Sequence, residues 1–209
     1  MYGLIPGILI ELERMFKIHC LTRTDVARKD DSSKTSEMKL VAGLGNPGDE
    51  YRDTFHNAGS MFVDYLAGEN QRGFRKYRDF EFLKAGGLIA VKPLGFMNQS
   101  GKPIKRAIKY FGVGIKNLIV VHDDSDIELG RYKVSSGHGS AGHKGIESIC
   151  KELKTDEFDR IRIGVRKRYE SQGKHRRRAG DFILNRMDKE DKVVLKKIFL
   201  EIKALYFET

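Results

Sequence analysis

Apolar residues recur along the chain with two spacings, one typical of strands and one typical of helices. Apolar and alternating runs predict strands at 39–44, 81–86, 88–93, 117–123, 131–135 and 160–165. Apolar residues three and four positions apart predict helices at 57–70, 102–111, 145–153 and 188–206. Because strands alternate with helices, the pattern predicts the α/β class, as a single three-layer α/β/α domain with a mixed, mostly parallel central sheet.

The pattern also predicts how three groups of these residues are arranged: a hairpin, a central strand and the buried face of a helix. The strands at 81–86 and 88–93 are predicted to form a hairpin that turns near Gly86 and Gly87. The run at 117–123 is apolar until its last residues, which is typical of a central strand covered on both faces. The C-terminal helix is predicted to bury Val194, Ile198, Ile202 and Leu205.

The polar segment 24–37 predicts a linker before the first strong strand. Residues 1–37 are therefore interpreted as an N-terminal extension and linker, and residues 38–209 as one folded domain. The apolar start of the chain is interrupted by Glu11, Glu13 and Arg14, so it is too charged to span a membrane and resembles no secretory signal. We expect a cytoplasmic protein with no membrane partner, and the leader keeps a mitochondrial role open.

The net charge of +10 lies in residues 38–209, because residues 1–37 carry six basic and six acidic residues. A basic excess confined to the folded part favours a polyanionic partner, nucleic acid first, with solubility as the alternative interpretation. The cysteines, Cys20 and Cys150, lie far apart and form no metal-binding or redox motif. A monomer is the simplest expectation.

The loop Gly43–Gly48 fits the dinucleotide pattern G-x-G-x-x-G, but its context does not. Pro47 removes an amide that a phosphate would need, and the residues after Gly48 lack the apolar helix that should begin there. We therefore expect no nucleotide cofactor. The loop is interpreted instead as a sharp turn at the carboxyl end of a strand, where it presents Asn46 to the crevice in which open α/β sheets bind ligands.

A histidine and an aspartate are predicted to meet at the same edge of the sheet. His56 opens the helix after the Asn46 loop, where a neutral imidazole can act as a general base, although a capping or surface role is the alternative. Asp123 ends the central strand, and a carboxylate there can orient a histidine. Its neighbour His122 is interpreted as a structural residue.

Two further features of this edge leave alternatives open. Asp124 or Asp126 could cap a turn or hold a metal, but no ligand set accompanies them, so no metal is expected. The loop at 95–101 offers an apolar wall from Phe96 and Met97 and an amide from Asn98, with an Asn cap beside core residues as the alternative. Together the loops indicate a hydrolase-like site without cofactor.

These motifs together resemble the bacterial-type peptidyl-tRNA hydrolase family. The resemblance runs from Lys39 to about Leu184 and comprises, in order, GLGNPGDEYRDTFHNAG, FMNQSG, HDDSDIELG, GHGSAGHKG and RIRIG. It implies hydrolysis of the ester between a peptide, or an N-blocked amino acid, and the 3′ end of tRNA, which recycles peptidyl-tRNA from stalled ribosomes. The partner would be peptidyl-tRNA, bound by its acceptor stem and 3′ end.

The resemblance also implies roles for single residues. His56 would activate water, Asp123 would hold His56, and Asn46 would help to separate blocked from unblocked aminoacyl-tRNA. The channel for the peptide and the terminal adenosine would be lined by Tyr51, Phe96, Met97 and Asn98. The acceptor-stem phosphates would meet Arg162 and Lys133.

Two departures from the family pattern affect these expectations. Lys144 stands where the family usually has asparagine, and an ammonium donates hydrogen bonds without accepting them. It could bind a phosphate, or pair with Asp123 and weaken the support of His56. The basic run at 166–178, with Arg176, Arg177 and Arg178, is interpreted as a clamp for RNA phosphates or as a solvated loop. The alternative function is therefore a catalytically weak or inactive RNA-binding module.

Overall fold

The computed structural model describes residues 38–68, 73–137, 139–167 and 178–207. The predicted N-terminal extension and linker, and the predicted RNA contacts Arg176 and Arg177, lie outside these residues. Among the described helices none is long and apolar enough to cross a lipid bilayer.

Seven strands form one mixed sheet in the described part of the chain. They are β1 (Lys39–Gly43), β2 (Arg75–Tyr77), β3 (Phe80–Ala85), β4 (Leu88–Pro93), β5 (Leu118–Glu128), β6 (Tyr132–Ser136) and β7 (Asp159–Arg166), in the spatial order β2-β3-β4-β1-β5-β7-β6. The four central strands, β4, β1, β5 and β7, are parallel. The edges are antiparallel: β3 pairs with β2 and β4, and β6 pairs with β7. The predicted mixed sheet and the hairpin of β3 and β4 are confirmed.

Four α-helices cover the sheet within the described residues: α1 (Ala58–Ala67), α2 (Gly101–Phe111), α3 (Lys144–Leu153) and α4 (Lys189–Tyr206). In β1, Leu40 and Ala42 pack in one apolar cluster with residues of α2 and α3, whereas Val41 packs in a second cluster with residues of α1 and α4. Successive side chains of a strand point to opposite faces, so the two clusters lie on opposite sides of the sheet. The predicted three-layer α/β/α architecture is confirmed.

The first turn of α1 lies directly against β5. A Cβ atom built at Gly59 would lie 2.1 Å from the carbonyl oxygen of Val121, a distance that no side chain tolerates. Glycine at this position therefore lets the helix approach the strand closely. The approach brings the residues just before α1 next to the middle of β5, where Asp123 lies.

Three predictions about elements need correction. The strand β2 was not predicted, because it is a three-residue edge strand with the charged residues Arg75 and Lys76. The strand β5 continues past residue 123 to Glu128, since its polar residues keep the backbone pairing with β7. In α4, Leu205 is 45% exposed and Val194 is only partly buried, whereas the buried stripe consists of Leu195, Ile198, Phe199 and Ile202.

Candidate active site

Asp123 stands at the centre of the candidate site, buried in β5 two residues past the last pair that this strand forms with β1. Its Oδ1 atom lies 2.8 Å from Nδ1 of His56 and 2.9 Å from Nε2 of His143. The expected contact between His56 and Asp123 is therefore present. A second imidazole, which the sequence had not indicated, binds the same carboxylate oxygen.

His56 lies in a single 3₁₀ turn, Phe55–Asn57, that leads into α1. The segment 183–187 holds this turn from behind, because the backbone N–H of His56 donates to the carbonyl of Ile183 at 2.8 Å. Since the carboxylate of Asp123 can only accept, Nδ1 of His56 carries the proton and donates it. The second ring nitrogen, Nε2, keeps a lone pair on a ring that lines the crevice.

The charge of Asp123 changes the protonation of His56. Burial lowers the pKa of His56, but the charge of Asp123 and the hydrogen bond to it outweigh burial and raise that pKa above the ordinary 6.5. The helix start was expected to favour a neutral ring, and the neighbouring carboxylate acts in the opposite direction. Burial also raises the pKa of Asp123, but the charges and hydrogen bonds of His143 and His56 outweigh burial and hold that pKa well below the usual aspartate value.

His143 connects the carboxylate to the start of α3. It is the N-cap of that helix, and its Nδ1 atom accepts hydrogen bonds from the backbone N–H groups of Gly145 and Ile146 at 3.2 and 3.3 Å. Nε2 must therefore carry the ring proton and donate it to Asp123. The signal in the sequence was a polar residue two positions before the predicted helix at 145–153, and the helix in fact begins one residue earlier, at Lys144.

The interpretation of His122 as a structural residue agrees with its surroundings. Its Nδ1 atom donates to the backbone carbonyl of Asp123 at 2.7 Å, and its ring centroid lies 4.6 Å from that of His143. Burial, with a smaller effect from His143, lowers the pKa of His122 to about 3. The ring is therefore neutral at cellular pH.

The donor atoms of His56, Asp123 and His143 lie within 4.8 Å of one another, a spacing also found among metal ligands. Hydrogen bonds account for this spacing here. His56 and His143 each donate a hydrogen bond to Asp123. The other ring nitrogen of His143 accepts hydrogen bonds from the backbone at the start of α3.

Asn46 is held in place from two sides. The side chain of buried Asn57 accepts from the Asn46 N–H at 2.8 Å and donates to the Asn46 carbonyl at 2.9 Å. The Asn46 side-chain oxygen accepts from the Met97 N–H at 2.8 Å, which ties the loop after β1 to the loop after β4. This bond orients the amide of Asn46, whose NH₂ group is a hydrogen-bond donor. Asn57 was missed by the sequence reasoning, although it directly follows His56.

The residues predicted to line the channel for the peptide and the terminal adenosine differ in their exposure. Phe96 is 51% exposed, and its ring meets Tyr51 edge-on with the centroids 6.4 Å apart. Asn98 is exposed in the short 3₁₀ turn Met97–Gln99, which directly follows Phe96. Met97, in contrast, is buried in the core beneath α2 and α3, so its side chain does not form the wall that was expected. Met97 contributes to the site through its backbone N–H, which donates to the side-chain oxygen of Asn46.

A crevice of about 420 Å³ lies beside the paired imidazoles. Among the residues with predicted roles, it is lined by His56, Asp123, Lys144 and Arg162. Lys144 donates to Glu147 at 3.0 Å, one turn further along α3, so it does not form the pair with Asp123 that the sequence left open. The residue before it, His143, makes the contact with Asp123 instead.

Two of the predicted RNA contacts, Lys133 and Arg162, lie on β6 and β7. Lys133 is exposed and faces Arg162 across the antiparallel pair of strands. Arg162 is bound to Asp124, with Nε and a terminal nitrogen each 2.7 Å from one carboxylate oxygen, so its charge is partly neutralised. Asp124 therefore acts as an arginine partner. Arg178 is exposed at the start of the 3₁₀ turn Ala179–Asp181.

Comparison with known proteins identifies relatives of the whole described domain. The family model described as peptidyl-tRNA hydrolase matches residues 40–207. The peptidyl-tRNA hydrolase of Lactococcus lactis subsp. lactis is 35% identical over 176 residues, covering 81% of this chain and 91% of that protein. The enzyme of Listeria welshimeri is 41% identical over 133 residues, covering 61% of this chain and 72% of that protein.

A solved structure resembles the fold as well. The crystal structure of peptidyl-tRNA hydrolase from Acinetobacter baumannii superimposes with a TM-score of 0.67 at 26% identity. The match covers 83% of this chain and 88% of that one.

Proposed function

Because the chain belongs to the peptidyl-tRNA hydrolase family, we propose that its crevice hydrolyses the ester between a peptide, or an N-blocked amino acid, and the 3′ end of tRNA. The observation that carries the proposal is the His56–Asp123 hydrogen bond of 2.8 Å at the edge of the crevice. It fixes the tautomer of His56 with Nε2 unprotonated. An ester can be cleaved by such a base acting through water.

In the proposed reaction His56 first acts as a base. Nε2 takes a proton from a water molecule, and the water oxygen forms a bond to the ester carbonyl carbon. The charge of Asp123 stabilises the imidazolium that results. The tetrahedral intermediate then collapses as the bond to the ribose oxygen breaks, and the imidazolium returns the proton to that oxygen. The products are the free carboxylic acid and tRNA.

Other residues of the site position the groups that react. His143 donates to the same oxygen of Asp123 as His56, so the carboxylate cannot rotate without losing a hydrogen bond. The NH₂ group of Asn46 is proposed to donate to a carbonyl oxygen of the blocked amino acid. The exposed pair of Tyr51 and Phe96, with Asn98, is proposed to contact the peptide and the terminal adenosine.

The RNA is proposed to leave the crevice towards β6 and β7. Lys133 and Arg162 would meet phosphates of the acceptor stem, and Lys144 would add a donor at the crevice mouth, where its ammonium is largely exposed. Arg178 would extend this surface. A monomer is the proposed working unit, and the cytoplasm is the proposed location.

The deciding experiment is the release of N-acetyl-aminoacyl groups from tRNA by the wild type and by His56→Ala. The variant should lose about 10²–10⁴-fold in kcat, the usual contribution of a positioned base. Binding of deacylated tRNA should persist, because His56 is not a phosphate contact. A wild type that binds tRNA and releases nothing would instead support the RNA-binding module.

A further inference from the structure

The helix α2 carries a charge pattern that the proposed reaction does not use. It contains Lys102, Lys105, Arg106 and Lys109 and no carboxylate. Lys102, Lys105 and Lys109 are exposed and stand three and four positions apart, so they form one stripe along the outer face of the helix. A helix that needs only solubility usually mixes charges of both signs along its exposed face.

The neighbouring side chains leave this stripe positive. Arg106 is neutralised by Asp79 in the turn between β2 and β3. Lys105 forms an ion pair with Glu152 at 3.6 Å, which weakens its charge without removing it, because its side chain stays 55% exposed to water. A row of exposed ammonium groups matches a row of phosphates, which they bind without reading sequence.

The stripe begins beside the candidate active site. The turn Met97–Gln99, which holds the side chain of Asn46, leads directly into α2. From Lys102 to Lys109 the helix rises about 10 Å. At its far end Tyr110 is 50% exposed, and its ring lies 4.3 Å from that of Tyr77 at an angle of 30°. An exposed aromatic face beside cations suits a ribose or an unpaired base.

The stripe and the pair formed by Lys133 and Arg162 lie on the same side of the sheet. Ile161 and Ile163 of β7 pack in the cluster of α1 and α4, so the alternating residue Arg162 points to the side of α2 and α3. The helix α2 packs over β3 and β4, and β4 and β7 are three strands apart, a separation of about 14 Å. An RNA whose 3′ end occupies the crevice can therefore meet both surfaces.

We propose that Lys102, Lys105 and Lys109 form a second contact surface for the phosphate backbone of RNA, with Tyr110 at its far end. The inference rests on the proposed function for the identity of the RNA, which is the tRNA part of the substrate. It adds a surface on α2, which packs over β3 and β4, to the surface of Lys133 and Arg162 on β6 and β7.

The test compares two sets of charge changes. One variant combines Lys102→Gln, Lys105→Gln and Lys109→Gln. The matched control combines Lys189→Gln, Lys196→Gln and Lys197→Gln, which removes the same charge from exposed positions of α4 on the other side of the sheet. Affinity for deacylated tRNA is measured over a range of salt concentrations, and thermal unfolding is followed in parallel.

The α2 variant should bind tRNA about tenfold more weakly near 0.1 M salt, and its plot of log Kd against log salt should be shallower by about 2 to 3 units, one for each lost contact. The control should keep the wild-type slope. If the two triple variants have equal affinity for tRNA and equal salt dependence, the proposed contact surface on α2 is wrong.

A second readout separates this inference from the proposed function. Cleavage of an N-acetyl-aminoacyl ester of the trinucleotide CCA should change much less in the α2 variant than cleavage of charged tRNA, because the trinucleotide ends near the start of the stripe and does not reach Lys109. If the wild type cleaves neither this ester nor charged tRNA, the proposed function fails. In that case the salt dependence of binding to deacylated tRNA still decides whether the lysine stripe binds RNA.

Discussion

At the scale of single residues, one carboxylate oxygen organises the candidate site. Oδ1 of Asp123 accepts hydrogen bonds from both His56 and His143, and the remaining ring nitrogens have different tasks. Nδ1 of His143 is committed to the start of α3, whereas Nε2 of His56 is left for chemistry. Two identical side chains therefore take separate roles because their second nitrogens face different surroundings.

The raised pKa of His56 predicts the pH dependence of the reaction. His56 must be neutral to accept a proton, so kcat/KM should rise with pH and reach half of its plateau above pH 6.5. In Asp123→Asn the carboxylate charge is gone while burial remains, so the pKa of His56 should fall and the acid limb should move to lower pH. The plateau should fall about 10²-fold, within the range for a positioned base.

Asp126→Asn is the matched control for this pH profile, because Asp126 is exposed and three residues further along β5. It removes a nearby negative charge without touching His56. An acid limb that shifts equally in both variants would show that general charge, and not the contact with Asp123, sets the pKa of His56.

Replacing His143 should separate its two contacts. In His143→Ala, Asp123 loses one donor, so its charge acts more strongly on His56 and the acid limb should move to higher pH. The lost cap should lower the free energy of unfolding by about 1 kcal/mol. Asparagine is a good N-cap but is shorter than histidine, so His143→Asn should recover the stability without recovering the pH profile. Recovery of both by asparagine would contradict a role through Asp123.

At the scale of elements, the site depends on how closely α1 approaches β5. His56 precedes α1 and Asp123 belongs to β5, so the distance between the helix and the strand sets the distance between the two side chains. Gly59 allows that approach, since even one methyl group would overlap the carbonyl of Val121. The segment 183–187 holds the 3₁₀ turn from the other side through the hydrogen bond from His56 to Ile183.

Gly59→Ala should therefore harm both stability and activity. Forcing a methyl group into this contact should cost about 1–3 kcal/mol of unfolding free energy, and kcat should fall as His56 is displaced from Asp123. Chemical denaturation and cleavage of a short N-blocked ester measure the two effects. Gly87→Ala is the control, because a Cβ atom there meets open space, and it should leave both quantities unchanged. Full activity in a destabilised Gly59→Ala would refute the link between packing and chemistry.

At the scale of the whole molecule, positive charge surrounds a buried carboxylate centre. The excess of +10 lies in residues 38–209. Part of it stands on β6 and β7 as Lys133 and Arg162, and part on α2. Such a distribution favours binding of an RNA backbone by many weak contacts around a small reactive site.

This distribution predicts different salt dependence for long and short substrates. kcat/KM for N-acetyl-aminoacyl-tRNA should fall steeply with salt, by about 0.7–0.9 log units per phosphate contact for each tenfold change in concentration. The trinucleotide ester should show little change. Glutamine at Arg176, Arg177 and Arg178 should weaken tRNA binding without slowing cleavage of that ester, and unchanged tRNA affinity would favour the solvated-loop interpretation of the basic run.

Much of the fold followed from local patterns. Apolar periodicity predicted the four helices and six of the seven described strands, because a buried face repeats with the period of its own element. It missed β2, whose charged residues show no such repeat, and it misjudged Leu205, because the rotation of α4 on the core depends on the packing partner. The sequence also indicated that His56 and Asp123 belong together, since the loop before His56 and the predicted end of the central strand lie at one edge of the sheet.

The sequence by itself determined the order of elements, the α/β/α class and the motifs that mark the family, because these depend on residue types at fixed spacing. Only the tertiary structure decided which side chains meet. It placed His143 on Asp123, bound Asn57 to Asn46, and gave Arg162 to Asp124. A hydrogen bond depends on distances of a few tenths of an ångström between segments that are remote along the chain, and those distances exist only once the layers have packed.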